Sequence, residues 1–287
     1  MKPVRIGVLG GSGLYDIAEM KIEETVKVDT PWGEPSDEFV IGSLAGVQVA
    51  FLPRHGKGHR IPPSFINYRA NIWGMKKLGV ERIIASGACG SFKQELPPGH
   101  IVIIDQFLDR TRNRLGTFTG PGLVAHVLFA DPVCGDLSQV LFDSAKKVGA
   151  AVTRGGTYVC MEGPQFSTRA ESLFYKSMGA DVIGMTNLTE AKLAREAEIC
   201  YASLALVTDF DCWHESEEDV TIEAVLAVMR RNVDTFRAII REAIPRLKGA
   251  RTCLCRDAMK FAVITDPAAI PEQWKKDLDL VLGKYFK

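Results

Sequence analysis

Residues 199–211 read ICYASLALVTDFD. Ile199 to Val207 carry no charge, and the run then ends in Thr208, Asp209, Phe210 and Asp211. Such a run predicts a buried strand, whose side chains alternate faces with a period of two. If extended geometry continues past Val207, Asp209 and Asp211 point the same way and Phe210 points the other, into packing. Two carboxylates at the mouth of a buried strand carry a desolvation cost unless something there uses them.

Outward from this run the same grammar repeats. Strands are predicted at Val4–Leu9, Phe39–Ile41 leading into Val47–Leu52, Arg82–Ala85, His100–Ile104, Thr157–Met161 and Val182–Gly184, besides Cys200–Val207. Helical periods cover Asn67–Lys77, Leu137–Val148, Thr168–Met178, Leu188–Glu196, Thr221–Leu247 and Pro267–Tyr285. In the fifth of these, Ile222, Val225, Leu226, Met229, Val233, Phe236, Ile240 and Ile244 form an apolar stripe at helical spacing. Alternation of this kind indicates an α/β architecture. No linker, repeat or charge run divides the chain, so one domain over 1–287 is expected. The stretch from Asp105 to Pro132 has little periodicity, and long irregular segments in compact domains serve function or interfaces.

Composition sets the bounds. A chain of 287 residues with 46% apolar content can bury a full core. Lys+Arg and Asp+Glu both number 35, which argues against nucleic-acid or acidic-surface binding through bulk electrostatics. No apolar run approaches the roughly 20 residues of a membrane span, and the first residues lead into a strand without a signal-like segment. A cytoplasmic enzyme with no membrane or nucleic-acid partner is expected. Most of the seven cysteines lie in apolar segments, where a reduced Cys acts as a small hydrophobe. Cys253-Leu254-Cys255 is the exception, open to a metal half-site, a redox pair or a local disulfide. No second Cys/His pair at zinc spacing accompanies it, so no metal is expected.

Several strand ends carry groups suited to an anion. Gly10-Gly11-Ser12-Gly13 allows a tight turn with exposed amides and a hydroxyl, but lacks a dinucleotide fingerprint or Walker lysine. Arg54-His55-Gly56 follows a strand end, with a planar guanidinium fork and an imidazole as a second donor. Ser86-Gly87-Ala88-Cys89-Gly90-Ser91 reads as a third junction of small residues. Three such junctions suit a free phosphate held by several loops. In Glu162-Gly163-Pro164-Gln165-Phe166-Ser167-Thr168, Thr168 and Glu171 read as a capping box. Phe166, outside that helix, is placed to stack on a flat heterocycle. Met185-Thr186 suits a sugar face and its hydroxyls or phosphate.

Seven segments in order, GGSGL at 10–14, RHG at 54–56, GACGS at 87–91, IVIIDQFLDRT at 101–111, EGPQFSTRAE at 162–171, GMTN at 184–187 and TDFDCW at 208–213, resemble one family. It is the 5'-deoxy-5'-methylthioadenosine phosphorylases of the trimeric purine nucleoside phosphorylase superfamily. The resemblance implies a single-domain nucleoside phosphorylase fold, a central mixed β-sheet flanked by helices. It implies phosphorolysis of methylthioadenosine to adenine and 5-methylthioribose-1-phosphate in purine and methionine salvage. Inorganic phosphate is then a co-substrate and no cofactor is needed. By position it makes Ser12, Arg54, His55, the Ala88 amide and Thr186 the phosphate site. Phe166, Asp209 and Asp211 would bind the purine, Asp209 protonating N7 and Asp211 binding the 6-amino group. Met185, His59, Ile222, Val225 and Leu226 would hold the ribose and methylthio group, and His126 would reach a neighbouring subunit of a homotrimer, or of a dimer of trimers.

Two positions depart from the family pattern: Gly87 stands where relatives often carry Thr, and Thr189 where Pro often follows the Met-Thr segment. The CxC is similar to one that forms a disulfide in some thermophilic members. Carboxylates suit a 6-amino base, whereas a 6-oxo base would require an Asn-type donor, as in purine nucleoside or methylthioinosine phosphorylases. From other classes, Asp209-Phe210-Asp211 could be the DxD of a metal-dependent glycosyltransferase, or the chain a non-catalytic purine sensor. The first leaves the phosphate-type junctions unexplained, and the second has no need of Arg-His.

Overall fold

The computed structural model describes residues 4–11, 14, 17, 19–214 and 222–286, with side chains omitted at 222–225. Among the described residues the chain runs β1 (Ile6–Gly10), β2 (Lys21–Val26), β3 (Phe39–Leu44), β4 (Val47–Pro53), α1 (Tyr68–Lys77), β5 (Arg82–Ser91), β6 (Ile101–Ile103) and β7 (Gln106–Arg110). It continues with α2 (Gly135–Lys147), β8 (Val152–Arg154), β9 (Thr157–Met161), α3 (Arg169–Ser177), β10 (Val182–Gly184), α4 (Asn187–Glu196), β11 (Cys200–Phe210) and α5 (Ile222–Ala243). The strands form one mixed sheet in the order β2-β3-β4-β1-β5-β10-β9-β7, while β11 pairs with β5 and β6, and β6 with β8. α1 and α4 cover one face, and α2 and α5 the other. Cys200 to Thr208 of β11 are therefore all buried, as expected for a strand covered on both faces. No helix among the described residues is long and apolar enough to cross a membrane.

Helix starts follow local chemistry. The Asn67 side chain caps α1 by accepting from the Ala70 amide at 3.2 Å. Thr168 and Glu171 form the predicted capping box of α3, each side chain accepting from the other's backbone amide, at 3.2 and 2.8 Å. Along α5, Val233, Phe236, Ile240 and the following Ile244 are buried in the core.

Three expectations change. β5 does not stop at Ala85 but runs to Ser91, so Ser86–Ser91 is strand and not a junction loop. β1 pairs with β5 only as far as Ala85, and β10 pairs with it only at Gly90 and Ser91. Residues 86–89 are thus held along one edge by β11 and open along the other. The region 105–132 contains β7, which pairs with β9. The single helix predicted for Pro267–Tyr285 is broken into α6 (Glu272–Asp277) and α7 (Asp279–Leu282), flanked by 3-10 turns at Pro267–Ala269 and Gly283–Tyr285. Pro271 supplies no amide and holds Ile270 extended, at φ −71° and ψ 123°.

A bulge decides the outward end of β11. Val207 pairs with Cys89 and Asp209 with Gly90, leaving Thr208 as the extra residue. Asn232 of α5 donates to the Val207 carbonyl at 2.8 Å and ties the long helix over this point. Bulges re-aim side chains near the ends of strands, and here Thr208, Asp209 and Asp211 all reach one cavity.

Candidate active site

The cavity measures about 520 Å³, within the usual range for small-molecule sites. Its wall includes Arg54, His55, His59, Gly87, Ala88, Phe166, Met185, Thr186, Asp209 and Asp211. Nine of the candidate site residues are thus gathered from five strands and the loops after them. Ser12 lies outside the described residues, as do the side chains of Ile222 and Val225. Leu226 is exposed and does not line the cavity; Met229, one turn further along α5, does. His126 is also exposed and off this cavity, its amide donating to the Ala262 carbonyl at 2.8 Å.

At one end stand the carboxylates. Burial raises the Asp209 pKa, the Thr208 hydroxyl opposes the rise, and Asp211 adds to it. The Thr208 hydroxyl lies 2.5 Å from Asp209 Oδ1 and 3.2 Å from the Cys89 carbonyl. It has one proton to offer. When Asp209 is protonated it can donate to Thr208, which then donates to Cys89, so the chain of bonds closes with the acid form in place. Asp211 is buried, and its Oδ2 has no hydrogen-bond partner among the described residues. A buried acceptor without a donor is costly, and this one borders the cavity. Phe210 faces away, stacked on His214 with centroids 4.5 Å apart.

At the other end the expected phosphate donors are arranged differently from the sequence reading. Arg54 is fully buried, and its fork is spent largely on Glu190 of α4: Nε donates to Oε1 at 2.5 Å and Nη2 to Oε2 at 3.0 Å. Nη1 donates to the Ser86 carbonyl and Nη2 also to the Leu9 carbonyl at 3.3 Å. Burial alone would lower the Arg54 pKa, but Glu190 outweighs it and holds the guanidinium charged. Tyr201 donates to Glu190 at 2.8 Å and accepts from Asn187 at 3.0 Å. Sequence reading missed Glu190 because it lies 136 residues from its partner, in a helix whose pattern reads as ordinary.

His55 is corrected too. Nδ1 faces the Ile61 carbonyl at 2.9 Å and therefore carries the proton. Burial, reinforced by Arg54, lowers the ring's pKa to about 4, so the ring is neutral at pH 7. Its Nε2 is then an acceptor, not the donor inferred from sequence. The ring stacks on His59 with centroids 4.3 Å apart, and His59 sits at φ 56°, a left-handed conformation uncommon without glycine.

The backbone supplies the remaining donors. On the open edge of β5 the Ser86 carbonyl turns toward Arg54. Two residues on, the Ala88 amide faces the same edge. Thr186 is the N-cap residue of α4, yet its side chain makes no capping hydrogen bond. Its hydroxyl and the α4 amides, which have no intrahelical acceptors, are donors of the kind that suits an anion. Nearby, Asn187 Oδ1 is buried without a partner among the described residues and lies 3.6 Å from where a Gly87 Cβ would stand. The missing Thr side chain at 87 thus leaves room and an orphan acceptor. Arg114, from the irregular region, was not anticipated. It reaches the Glu162 carboxylate at 3.2 Å, the Glu162 carbonyl at 2.5 Å and the Met185 carbonyl, binding the Met185 and Phe166 loops together. Phe166 itself is mostly exposed at the mouth.

Residues 5–245 match the profile of the phosphorylase superfamily. The chain belongs to that superfamily. Among its relatives in the superfamily, the S-methyl-5'-thioadenosine phosphorylase of Geobacter sulfurreducens is 58% identical over 98% of both chains. That of Chloroflexus aurantiacus is 49% identical over the full length of both. A methylthioadenosine phosphorylase from an Antarctic soil metagenomic library has a solved structure that matches with a TM-score of 0.93 at 45% identity, covering 98% of this chain and 100% of that one. The methylthioadenosine phosphorylase of Schistosoma mansoni in complex with tubercidin matches with a TM-score of 0.83 at 39% identity, over 90% of this chain and 96% of that one. The phosphorylase fold thus extends across the sheet and both helical layers described above.

Proposed function

We propose that the protein cleaves 5'-methylthioadenosine with inorganic phosphate, yielding adenine and 5-methylthioribose-1-phosphate. The observation that carries this reading is one cavity lined at one end by Arg54, Ala88 and Thr186 and at the other by carboxylates, where Asp211 has a buried acceptor unpaired among the described residues. The names of the relatives support the same activity.

Phosphate lies against Thr186, the Ala88 amide and the remaining Arg54 N–H. Its oxygen attacks C1' as the C1'–N9 bond breaks and the bonding pair passes into the purine. Protonated Asp209 delivers its proton to N7, neutralising the leaving group. The monohydrogen phosphate donates a hydrogen bond to neutral His55 Nε2 and releases that proton to solvent as the ester bond forms, replacing the one Asp209 gave to N7, so protons balance over the turnover. Charge building on the ribosyl group is offset by the phosphate. Asp211, an acceptor only, selects the 6-amino base, while Met185 and Met229 face the sugar and its thioether. No metal or organic cofactor enters this scheme.

The segment carrying His126 pairs through Ala125 with Val263 and exposes Val124, Leu128, Phe261 and Ile264. Such an apolar surface supports a homotrimer in which His126 approaches a neighbour's site, in a cytoplasmic salvage enzyme of methionine and purines. A phosphate-dependent assay on methylthioadenosine, adenosine, methylthioinosine and inosine tests the reading. Adenine release from the first should require phosphate and exceed turnover of the 6-oxo analogues by at least about 100-fold. Equal turnover of methylthioinosine, or release without phosphate, refutes it.

A further inference from the structure

Cys134, Cys200, Cys253 and Cys255 converge at the inner end of β11, with all four Sγ atoms within 4.8 Å of one another. The second ligand pair that the sequence lacked at zinc spacing is supplied by the fold. Cys200 opens β11, Cys134 is the N-cap residue of α2, and the CxC lies on a 3-10 turn at Leu254–Asp257. In that turn Leu254 points to solvent while Cys253 and Cys255 turn inward. No disulfide joins any of the seven cysteines in the structure.

We propose that these four cysteines bind a structural Zn²⁺ ion as a tetrathiolate. Zn–S bonds of about 2.3 Å in a tetrahedron require sulfur–sulfur edges of about 3.8 Å. The observed spacing brackets that value: the Cys200 and Cys253 sulfurs are 3.2 Å apart, and no pair exceeds 4.8 Å. Two independent disulfides need only two close pairs, whereas mutual proximity of all four sulfurs is what a single central ion demands. Binding displaces four thiol protons and forms four Zn–S bonds, leaving a net charge of minus two.

The surroundings suit that dianion. The first amides of α2 have no intrahelical acceptor and favour a thiolate at its N-cap. Arg82 stands opposite Cys200 on the paired strand β5, so both side chains share one face of the sheet. Its guanidinium is buried, and Nη1 makes no hydrogen bond among the described residues, lying 3.7 Å from Glu81. The site is also remote from the cavity, since nine residues of strand at about 3.3 Å each set Asp209 about 30 Å away. The ion would clip the turn at 253–257, and the C-terminal segment after it, to the start of β11 and to α2.

The test uses the full chain purified without chelator or reductant. Elemental analysis should find zinc equimolar with protein, and exchange for Co²⁺ should give the intense visible absorption of a tetrahedral tetrathiolate. Maleimide labelling, read on the peptide carrying Cys253 and Cys255, should be blocked until chelator is added. Chelation should lower Tm by more than about 5 °C and leave turnover unchanged. Loss of outer partners alone costs 10–100-fold in metal affinity, so Cys253→Ser should cost more than about 100-fold. Protein that stays zinc-free after zinc supplementation overturns the proposal. So does immediate labelling of both cysteines, or their release by reductant alone, which marks disulfides. Should Cys253→Ser fail to fold, chelation of the unaltered chain decides.

Discussion

The two ends of β11 gather ionisable groups in opposite ways. At Cys200 four thiols close on one another in the apolar core. At Asp209 and Asp211 a bulge turns two carboxylates outward into about 520 Å³ of space, and one of their oxygens has no donor among the described residues. Groups that satisfy one another, or an ion among them, hold a fold together. Groups left unsatisfied toward a cavity are kept for a ligand, because orphaned buried acceptors survive only where something else repays them.

The largest break in this contrast should come from Asp209→Asn, with kcat/KM for methylthioadenosine falling roughly 10²–10⁴-fold through loss of the general acid. Stability should move the other way. Burial raises the Asp209 pKa, so the folded chain keeps this proton over a range where the unfolded chain has released it. That contribution is present below the ordinary carboxylate pKa and is lost as pH rises through the folded value. At neutral pH the Asn variant avoids a poorly solvated charge, and Tm should rise by a few degrees, about the size of common stabilising substitutions. A thermal melt at pH 5 and pH 8 checks the sign: the gain should be larger at pH 8.

Glu190→Ala asks whether the phosphate end depends on structure as the thiol end does. It leaves the buried Arg54 guanidinium uncompensated, which should cost about 3–5 kcal/mol in denaturant unfolding. An unchanged midpoint would mean that the pair contributes nothing. Asp211→Asn is gentler. Replacing an acceptor by an amide that can donate should shift the 6-amino over 6-oxo preference by about 1–3 kcal/mol, or roughly 5–150-fold, read as a ratio of kcat/KM values. The smallest effect is expected from Gly87→Thr, whose side chain enters open space beside Asn187 Oδ1 and Thr186. One added hydrogen bond of about 0.5–1.5 kcal/mol should lower KM for phosphate by roughly 2–10-fold. A raised KM would show that the side chain clashes there instead.

Much of the site was legible because its chemistry sits at strand ends. Arg54-His55, Met185-Thr186 and Thr208 to Asp211 each follow a buried run, and period-two and period-3.6 patterns locate such runs. Glu190 and Arg114 were not legible, since each reads as an ordinary charged residue until its partner arrives from far along the chain. Met229 was seen only as part of a stripe, and the exposure of Leu226 depends on which turn of α5 overhangs the bulge. The reversal at His55 from donor to acceptor came from a carbonyl six residues away and from the burial of the ring.

By itself the sequence determined the α/β alternation, the buried strand ending in two carboxylates, the capped start of α3 and the family. These are written in local periodicity and short motifs, which a few neighbouring residues suffice to express. Only the tertiary structure decided the open edge at 86–89, the bulge at Thr208, the Arg54–Glu190 pair and the meeting of four cysteines. Each of these is a pairing between segments distant in sequence. Its energy comes from burial and hydrogen bonding that exist only once the sheet has brought those segments together.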